Sequence, residues 1–469
     1  MTRPRIGVVA LARATFDVPF AEATVARAAL ALKKLNADIV GSTDLLFDAE
    51  ATQAAIDALK DQDLDMLLVL QVTFTDASMT VALAKAIQAP LILWAFPEAR
   101  HGGRLRLNSF CGINLAGHAL AKAGAKYGYL YADPNGPDVV TALQEFLETG
   151  LPSRPAETAP TEIERGASDD RKAMDVFDRL GGARIAVVGE HPEGFDTCAY
   201  DARALQALTG VTVETMPLKS VFDGARAASD EDVAAVRARV AGELTGLDAV
   251  EAEPLEKSLR VYTALRKMAD DRDLDAVAVR CWPEFFTEYG CAACGPMAMM
   301  GQDGTPCACE ADAYGTVTNL MMKAFVDEPV FIADLVDIDV TDDTGVFWHC
   351  GLAPLSMADP DETPVATVHS NRRKPLLAEF PLKPGRITIT RLSQSKGRPR
   401  LVIGGAEMIK APKSYGGTSG VARFDRGGQA VLDTVMGEGL EHHYTFAYGD
   451  HRGPLAAFAS RLSLPIVHL

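Results

Sequence analysis

The sequence predicts an α/β protein in which two Rossmann-like, doubly wound domains are followed by a mostly β C-terminal domain. The chain has 469 residues, and one hydrophobic core rarely grows beyond about 250–300 residues, so several domains are expected. Short apolar strands alternate with amphipathic helices through the first two thirds of the chain, which is typical of parallel sheets. After Pro329 this alternation gives way to short strands with glycine-rich breaks.

The first predicted domain covers residues 1–155. Its third predicted strand, Asp65–Leu70, is a nearly unbroken apolar run, as expected where helices cover both faces of a sheet. The regular alternation therefore predicts a parallel sheet. The predicted strands and helices are, in order, Arg5–Ala10, Val18–Leu35, Ala37–Ser42, Thr52–Leu59, Asp65–Leu70, Ser78–Ile87, Pro90–Ala95 and Ala116–Ala123.

The second predicted domain covers residues 171–328, after a linker at Pro152–Asp170 that is rich in proline, serine and threonine. Two strands, Arg184–Gly189 and Asp275–Arg280, bracket a series of helical patterns. These helices are Ala202–Leu208, Asp230–Leu244 and Leu255–Asp270. The pattern again predicts a parallel α/β sheet.

The third predicted domain covers residues 329–469 and is mostly β. Val330–Asp339 and Gly345–Cys350 flank an acidic turn and are typical of a β-hairpin. Arg386–Leu392 and Arg400–Gly404 are further short strands. Tyr444–Leu469 is predicted to form a strand, a helix and a second strand.

Composition excludes several classes of protein. Apolar residues make up 48% and charged residues 23%, which is ordinary globular usage. A net charge of −17 argues against nucleic-acid binding, which requires clustered cationic side chains. No apolar run approaches the roughly 20 residues of a membrane helix. The N-terminus lacks a signal-peptide pattern, so a cytoplasmic protein is expected. Neither a P-loop nor a GxGxxG motif occurs, so no nucleotide cofactor is expected.

The densest polar signal lies between Arg280 and His349 and again at Glu441–His443. Carboxylates combined with imidazole suit a hard or borderline divalent cation. Glu310 precedes a helical stretch, and Asp334 lies in an otherwise apolar strand, where a charge is unusual unless it is paired or liganded.

Each of these residues also has a purely structural interpretation. Glu310 at a helix N-terminus is favoured by the helix dipole alone. His349, which ends an apolar strand, fits a hydrogen-bonded core histidine as well as a site residue. His442 and His443 are neighbours in a predicted strand, so only one of them is expected to face a given site.

Two further clusters allow more than one interpretation. Cys291, Cys294, Cys307 and Cys309 place four thiols within nineteen residues, a density that suits a zinc or iron–sulfur site or small buried side chains in a packed segment. The basic run Asn371–Lys374 suits either an anionic substrate or a solvated loop.

The chain resembles the L-fucose isomerase and L-arabinose isomerase superfamily, most closely its fucose-isomerase-like branch. The resemblance spans nearly the whole chain and is most specific in the third domain. The stretches that carry it are Ile6–Gly7, Arg13–Asp17, Leu70–Asp76, Leu93–Glu98, Gly102–Ser109, Val279–Glu284 through Cys309–Asp312, Phe331–Asp337, Trp348–Gly351 and Glu441–His443.

The resemblance implies a set of site residues. Glu310 corresponds to the first carboxylate ligand of the metal and His443 to the histidine ligand. The second carboxylate is Asp334 or Asp337, depending on whether the match follows the arabinose or the fucose enzymes; we favour Asp334, which ends the buried part of its strand. The implied sugar contacts are Arg13, Gln71, Trp94, Asn108 and His349.

The resemblance also implies cofactor, partner and activity. The metal is expected to be Mn²⁺, with Co²⁺, Mg²⁺ or Zn²⁺ as alternatives. A homo-oligomer is implied, commonly a hexamer in the family, in which the first domain of one subunit helps to close the site of its neighbour. The expected reaction is an aldose–ketose isomerisation by enediol proton transfer, in which Glu310 and Asp334 move the protons.

Three substrate classes fit this expectation: pentoses, 6-deoxyhexoses and sulfonated hexoses such as sulfoquinovose. Two other functions remain open from the sequence. The cysteine cluster suits a zinc or iron–sulfur hydro-lyase acting on a sugar acid. Paired α/β domains also build the clefts of non-catalytic sugar-binding proteins.

Overall fold

The structure, a computed structural model, describes residues 3–151 and 163–469. It confirms the predicted fold class, with two parallel sheets followed by a larger, mostly antiparallel one. Helices cover the parallel sheets, as the unbroken apolar strands predict. No helix within the described ranges is long and apolar enough to cross a bilayer.

The first sheet has five parallel strands in the order β2-β1-β3-β4-β5. Neighbouring parallel strands end at the same edge, so the loops after β1 and β3 meet there: the Arg13 amide donates to Thr73 Oγ1 at 2.8 Å. The elements are β1 (Arg5–Leu11), α1 (Val18–Leu32), β2 (Asp38–Leu46), α2 (Ala49–Leu59), β3 (Met66–Gln71), α3 (Ser78–Ala86), β4 (Leu91–Ala95), α4 (Ser109–Lys122), β5 (Tyr127–Tyr131) and α5 (Val139–Thr149).

The second sheet has four parallel strands in the order β7-β6-β8-β9. Its last strand is only two residues long and leads directly to Glu310. The elements are α6 (Ala167–Gly181), β6 (Arg184–Val188), α7 (Ala202–Thr209), β7 (Thr212–Met216), α8 (Leu218–Ala227), α9 (Asp230–Glu243), α10 (Ala252–Arg272), β8 (Ala276–Val279), α11 (Cys294–Gln302), β9 (Cys307–Ala308) and α12 (Ala313–Val326).

Part of the predicted linker belongs to this second region. Residues 152–162 of Pro152–Asp170 lie outside the described residues. The linker prediction is wrong for its last four residues, because helix α6 already begins at Ala167. Its apolar positions Ala173, Val176 and Leu180 are buried, which explains why the helix extends through a polar sequence.

The third region contains a closed barrel. Strands β16, β11, β10, β17, β14 and β15 pair in that order, and β15 pairs back onto β16. Closure leaves these six strands without a free edge. The elements are β10 (Phe331–Asp339), β11 (Thr344–His349), β12 (Val365–Thr367), β13 (Leu377–Pro381), β14 (Gly385–Ser393), β15 (Arg400–Ile409), β16 (Thr418–Phe424), α13 (Gly428–Glu438), β17 (His443–Tyr448), α14 (Arg452–Arg461) and β18 (Ile466–His468).

Two features of this arrangement position the polar residues singled out in the sequence. Strands β10 and β17 are antiparallel neighbours, with Asp334 directly opposite His443. Directly opposed side chains on one face of a sheet are close enough to interact. The turn between β9 and α12 carries Glu310 to the same place.

Candidate active site

Glu310, Asp334 and His443 converge on one buried point. The Nε2 atom of His443 lies 2.9 Å from Glu310 Oε2 and 3.3 Å from Asp334 Oδ1. Glu310 reaches this point from a strained turn, in which it and Ala311 both have left-handed backbone angles, with φ of 52° and 54°. Such strain in non-glycine residues is concentrated at functional sites. The structure thus brings together the three residues that the resemblance implies as metal ligands.

His442 joins the same cluster. Its Nε2 atom lies 3.8 Å from Glu310 Oε2 and 3.9 Å from Asp334 Oδ1, and its ring centroid is 4.0 Å from that of His443. The prediction that only one of the two histidines faces the site is wrong. Strand β17 begins at His443, so His442 lies in the bend before it, where strand alternation does not apply.

The cluster fits a divalent cation. Apart from the histidine nitrogens beside them, Glu310 Oε2 and Asp334 Oδ1 are buried without a hydrogen-bond partner. The donor atoms of Asp334, His442 and His443 all lie within 4.8 Å of one another. Burying carboxylate oxygens without partners is costly unless a cation neutralises them. Carboxylate oxygens suit Mn²⁺ and Mg²⁺, and imidazole nitrogens suit Zn²⁺ and other transition-metal ions.

Asp312 holds His443 in place, a role that the sequence did not reveal. Its Oδ2 atom lies 2.9 Å from His443 Nδ1, on the side of the ring opposite the cluster. Asp312 also accepts two hydrogen bonds from the fully buried Arg391 and caps helix α12 through the Gly315 amide. A second carboxylate behind a histidine fixes its tautomer and aims the free nitrogen at a metal.

The protonation of the cluster follows from burial and mutual charge. Burial opposes ionisation of Glu310, but the imidazoles of His442 and His443 hold its pKa well below the usual range. Burial raises the pKa of Asp334 to about 7, and the charge of Glu310 adds to this effect. Burial would lower the pKa of His443, yet Cys309 and Asp312 raise it well above the usual range. The pKa of His442 falls to about 4, because burial and His443 both disfavour its charge.

We expect Asp312→Asn to weaken metal binding by roughly 10- to 100-fold, because loss of an outer carboxylate commonly costs that much. The asparagine keeps the shape of the side chain but no longer stabilises the orientation of His443. Calorimetric titration of Mn²⁺ into EDTA-treated protein measures the effect. An unchanged Mn²⁺ affinity in a folded variant would show that Asp312 serves only the Arg391 contact and the helix cap.

Asp337, the alternative second carboxylate, lies elsewhere. Its carboxylate accepts hydrogen bonds from Arg100 Nε at 2.6 Å and from the Tyr131 hydroxyl at 2.5 Å. Burial and the charge of Asp337 raise the pKa of Tyr131 well above the usual range. These contacts link the first domain to strand β10, and they leave Asp334 as the aspartate of this strand that contacts His443.

His349 lies beside the cluster rather than in it. Its Nε2 atom is 2.8 Å from Cys309 Sγ, which in turn lies 3.4 Å from His443 Nε2. Burial lowers the pKa of His349 to about 3, so the ring is neutral. Its Nδ1 atom accepts the Cys350 amide at 2.9 Å. The Cys309 thiol thus contacts both His349 and the cluster residue His443.

The four thiols of the predicted cysteine cluster do not assemble into a single site. Within the described ranges, the groups of three or more side chains whose donor atoms lie within 4.8 Å of one another include Cys309 but none of Cys291, Cys294 and Cys307. All of these cysteines are buried. Burial raises the pKa of Cys307 to about 12, as expected of an inert thiol.

The sugar contacts implied in the first domain have different positions. Arg13 is partly buried and its guanidinium lies 5.2 Å from the centroid of the Trp282 ring. Gln71 is fully buried and donates to Thr73 O and Thr75 Oγ1, so it shapes the loop after β3. Asn108 precedes helix α4 in a left-handed conformation, with its Oδ1 buried and unpaired. Trp94 is a core residue, because its ring is fully buried and its Nε1 donates to Ala132 O.

An aromatic wall that the sequence analysis missed stands next to the cluster. Phe74, Phe195 and Trp282 form it, with ring centroids 5.6 Å and 5.2 Å apart in that order. Phe74 and Phe195 lie 6.4 Å and 6.2 Å from the His442 ring. Trp282 Nε1 donates to Glu310 Oε1 at 3.1 Å. The wall draws on two regions of the chain and contacts both a histidine and a carboxylate of the cluster.

The chain is similar to known sugar isomerases. Residues 7–151 match the family model for the N-terminal domain of fucose/sulfoquinovose isomerase. The chain is 28% identical to the sulfoquinovose isomerase of Priestia aryabhattai over 97% of both chains. It is also 28% identical to that of Clostridium sp. (strain MSTE9) over 99% of both chains. The sulfoquinovose isomerase of Alkalicoccus urumqiensis is 26% identical over 86% of both.

These similarities confirm the predicted resemblance to the fucose-isomerase-like branch. The match extends over nearly the full length of the first two relatives. It therefore covers the N-terminal domain and also the regions that carry Glu310, Asp334 and His443.

Proposed function

We propose that this chain, a sugar aldose–ketose isomerase of the fucose-isomerase-like type, depends on a divalent metal ion and acts on sulfoquinovose. The observation that carries the metal proposal is the pair of buried carboxylate oxygens of Glu310 and Asp334, which face His443 Nε2 and have no hydrogen-bond partner other than the neighbouring histidines. Glu310, Asp334 and His443 would hold the ion, since both carboxylates lie next to His443 Nε2. His442 is close enough to contact the ion or the substrate, because its donor atom lies within 4.8 Å of those of Asp334 and His443. We propose Mn²⁺, with Co²⁺, Mg²⁺ and Zn²⁺ as the alternatives.

The metal and the carboxylates would divide the chemistry. A bound divalent ion would act as a Lewis acid that stabilises negative charge on the sugar oxygens at C1 and C2. Isomerisation moves one proton between C2 and C1 and another between the two oxygens. We assign these transfers to Glu310 and Asp334. A positioned carboxylate that carries the proton contributes roughly 10²–10⁴-fold.

The surrounding residues fix the carboxylates and exclude water. Trp282 donates to one oxygen of Glu310 and so leaves the other directed at His443. Asp312 and Arg391 hold the His443 ring from behind. Phe74 and Phe195 cover His442 with apolar surface. A dry site strengthens each electrostatic contact at the reacting atoms.

The substrate proposal rests on the relatives, whose names specify sulfoquinovose. Discriminating a sulfonated hexose from a pentose or a 6-deoxyhexose requires a group in the site that pairs with the sulfonate. We also propose that the protein is a homo-oligomer, with a hexamer as the expected form and sites near subunit interfaces.

An assay with a panel of sugars tests the function. Sulfoquinovose, L-fucose, L-arabinose and D-glucose are each incubated with the Mn²⁺-loaded protein, and NMR follows formation of the ketose. We expect conversion of sulfoquinovose with the highest kcat/KM. Conversion of L-fucose or L-arabinose in preference would overturn the substrate, and conversion of no aldose would overturn the isomerase itself.

Metal binding should release protons and weaken as the pH falls. The pKa of Asp334 is raised to about 7 by burial, and that of His443 is raised well above its usual value. Only the deprotonated groups bind a metal. Below pH 7 a cation must displace a proton from Asp334, so the Mn²⁺ affinity is expected to fall with decreasing pH.

Calorimetry in two buffers of different ionisation enthalpy counts the released protons. The Asp334→Asn variant serves as the control, since it has no carboxyl proton to lose and should release fewer protons near pH 6. Mn²⁺ binding that is independent of pH between 5.5 and 8, about the range of ordinary histidine titration, would contradict the proposed ligand set.

A further inference from the structure

Two arginines from distant parts of the chain approach the Trp282 ring. The guanidinium carbons of Arg13 and Arg372 each lie 5.2 Å from its centroid. Arg372 also lies 5.2 Å from the centroid of Phe286. Stacking on aromatic rings orients a guanidinium while its edge stays free to donate hydrogen bonds. The aromatic rings therefore hold both cations in fixed positions at the side of the site.

The positive charge at this position is not fully neutralised. Asp76 pairs with Arg13 at 2.8 Å. Arg372 is partly buried and forms no ion pair with any carboxylate among residues 3–151 and 163–469. Burial lowers its pKa, and the charge of Arg13 adds to the effect. Two like charges close together in a partly buried position repel each other, and an anion between them relieves this repulsion.

A third arginine ties the two loops together. Arg104 donates from Nε to Asn371 Oδ1 at 2.6 Å and from Nη2 to Thr15 O at 2.8 Å. It thereby links the loop that carries Arg13 to the loop that carries Arg372. The chain has 63 acidic and 46 basic residues, so this local group of arginines is positively charged within a protein that is negatively charged overall.

The position of the arginines relative to the carboxylates defines what they can contact. Trp282 Nε1 donates to Glu310, and the two guanidiniums lie against the same indole. A sugar with C1 and C2 at Glu310 would extend past the indole, so its far end would meet the arginines. A substituent at that end is the group that they would bind.

We propose that Arg372, assisted by Arg13, binds an anionic substituent at the end of the sugar remote from the carbonyl, and that this substituent is the sulfonate of sulfoquinovose. The inference rests on the proposed function, since it concerns the same site. A sulfonate offers three acceptor oxygens, which match the forked donors of arginine. A phosphate shares this chemistry, so the test must separate the two.

Arg372→Gln is the central variant, and Arg373→Gln is its matched control because Arg373 is the exposed neighbour in the same basic run. Three substrates are compared: sulfoquinovose, 6-deoxy-D-glucose, which has a methyl group in place of the sulfonated carbon, and D-glucose 6-phosphate. We expect Arg372→Gln to lower kcat/KM for sulfoquinovose by roughly 10- to 100-fold, the usual effect of a lost charged hydrogen bond. The kcat/KM for 6-deoxy-D-glucose should be unchanged, and Arg373→Gln should leave both values as in the wild type.

An equal loss for the sulfonated and the neutral sugar would overturn the proposal, because it would show a structural role for Arg372. Preference of the wild type for D-glucose 6-phosphate would also overturn it, in favour of a phosphate site. Arg372→Lys provides a second variant, which keeps the positive charge but loses the paired hydrogen-bond donors of the guanidinium. It should retain part of the sulfoquinovose activity.

A binding measurement separates this inference from the isomerase proposal. Methyl sulfoquinovoside cannot open to the aldehyde, so its affinity is measured by calorimetry without turnover. We expect it to bind wild type and Arg373→Gln alike, and Arg372→Gln roughly 10- to 100-fold more weakly. If the wild type isomerises sulfoquinovose but the variant binds the glycoside equally well, the arginine assignment fails and the isomerase stands. If no sugar is isomerised, the isomerase fails, and binding of the glycoside still decides the role of Arg372.

Discussion

Glu310→Gln should leave the protein folded and lower kcat by at least roughly 10²–10⁴-fold, the contribution of a positioned general base. Glutamine keeps the length of the side chain and its bond from Trp282 but cannot carry the proton. It also removes one of the two carboxylates that face His443, so Mn²⁺ affinity should fall as well. Ketose formation and Mn²⁺ titration on the same preparation measure both effects.

Glu438→Gln is the matched control for this substitution. Glu438 is a partly buried glutamate at the end of helix α13 whose carboxylate pairs with Lys396 and Arg400, away from the cluster. Its loss should reduce thermal stability modestly and leave kcat unchanged. Full activity of Glu310→Gln, with unaltered metal affinity, would remove Glu310 from the mechanism.

The second large effect is expected from a pair of substitutions in strand β10. Asp334→Asn should abolish most of the turnover and weaken Mn²⁺ binding, because Asp334 supplies one of the two buried carboxylate oxygens beside His443. Asp337→Asn should keep the activity within a few fold and instead lower the free energy of unfolding by roughly 1.5–3 kcal/mol. Asp337 is already engaged by Arg100 and Tyr131, and asparagine loses the charge in both hydrogen bonds.

The two variants are matched, since both remove a buried carboxylate from the same strand. The activity and the thermal stability are measured for each variant. These four values show whether each aspartate acts in the site or stabilises the fold. The opposite pattern, with an active Asp334→Asn and an inactive but stable Asp337→Asn, would move the second carboxylate to Asp337.

Much of the fold follows from local pattern. The apolar runs of β1, β3, β4 and β6 are visible in the sequence because a parallel strand is covered on both faces. The barrel is not visible, since its closure depends on pairing between β15 and β16 that only the assembled structure creates. Strand β12 has three residues and is too short to give a periodic signal.

Some residues of the candidate site are also visible in the local sequence pattern, and others are not. Glu310, Asp334 and His443 stand out because a charge or imidazole interrupts an apolar or helical pattern. The role of Asp312 depends on Arg391, 79 residues further along the chain, and no local pattern reveals that pairing. The bend that turns His442 into the cluster breaks the alternation on which the sequence argument relied. The basic run at Arg372 fitted two interpretations, and the contact with Trp282, from which the anion proposal starts, appears only in the folded chain.

Metal removal and restoration with solvent-isotope detection tests the central claim most directly. The protein is stripped with EDTA, supplied with Mn²⁺ or left without it, and incubated with sulfoquinovose in D₂O while NMR follows the product. The account predicts ketose formation only after Mn²⁺ is restored, with deuterium entering at C1 because a carboxylate exchanges the transferred proton. Equal conversion in the stripped and the Mn²⁺-restored samples would contradict a metal-dependent isomerase built on Glu310, Asp334 and His443.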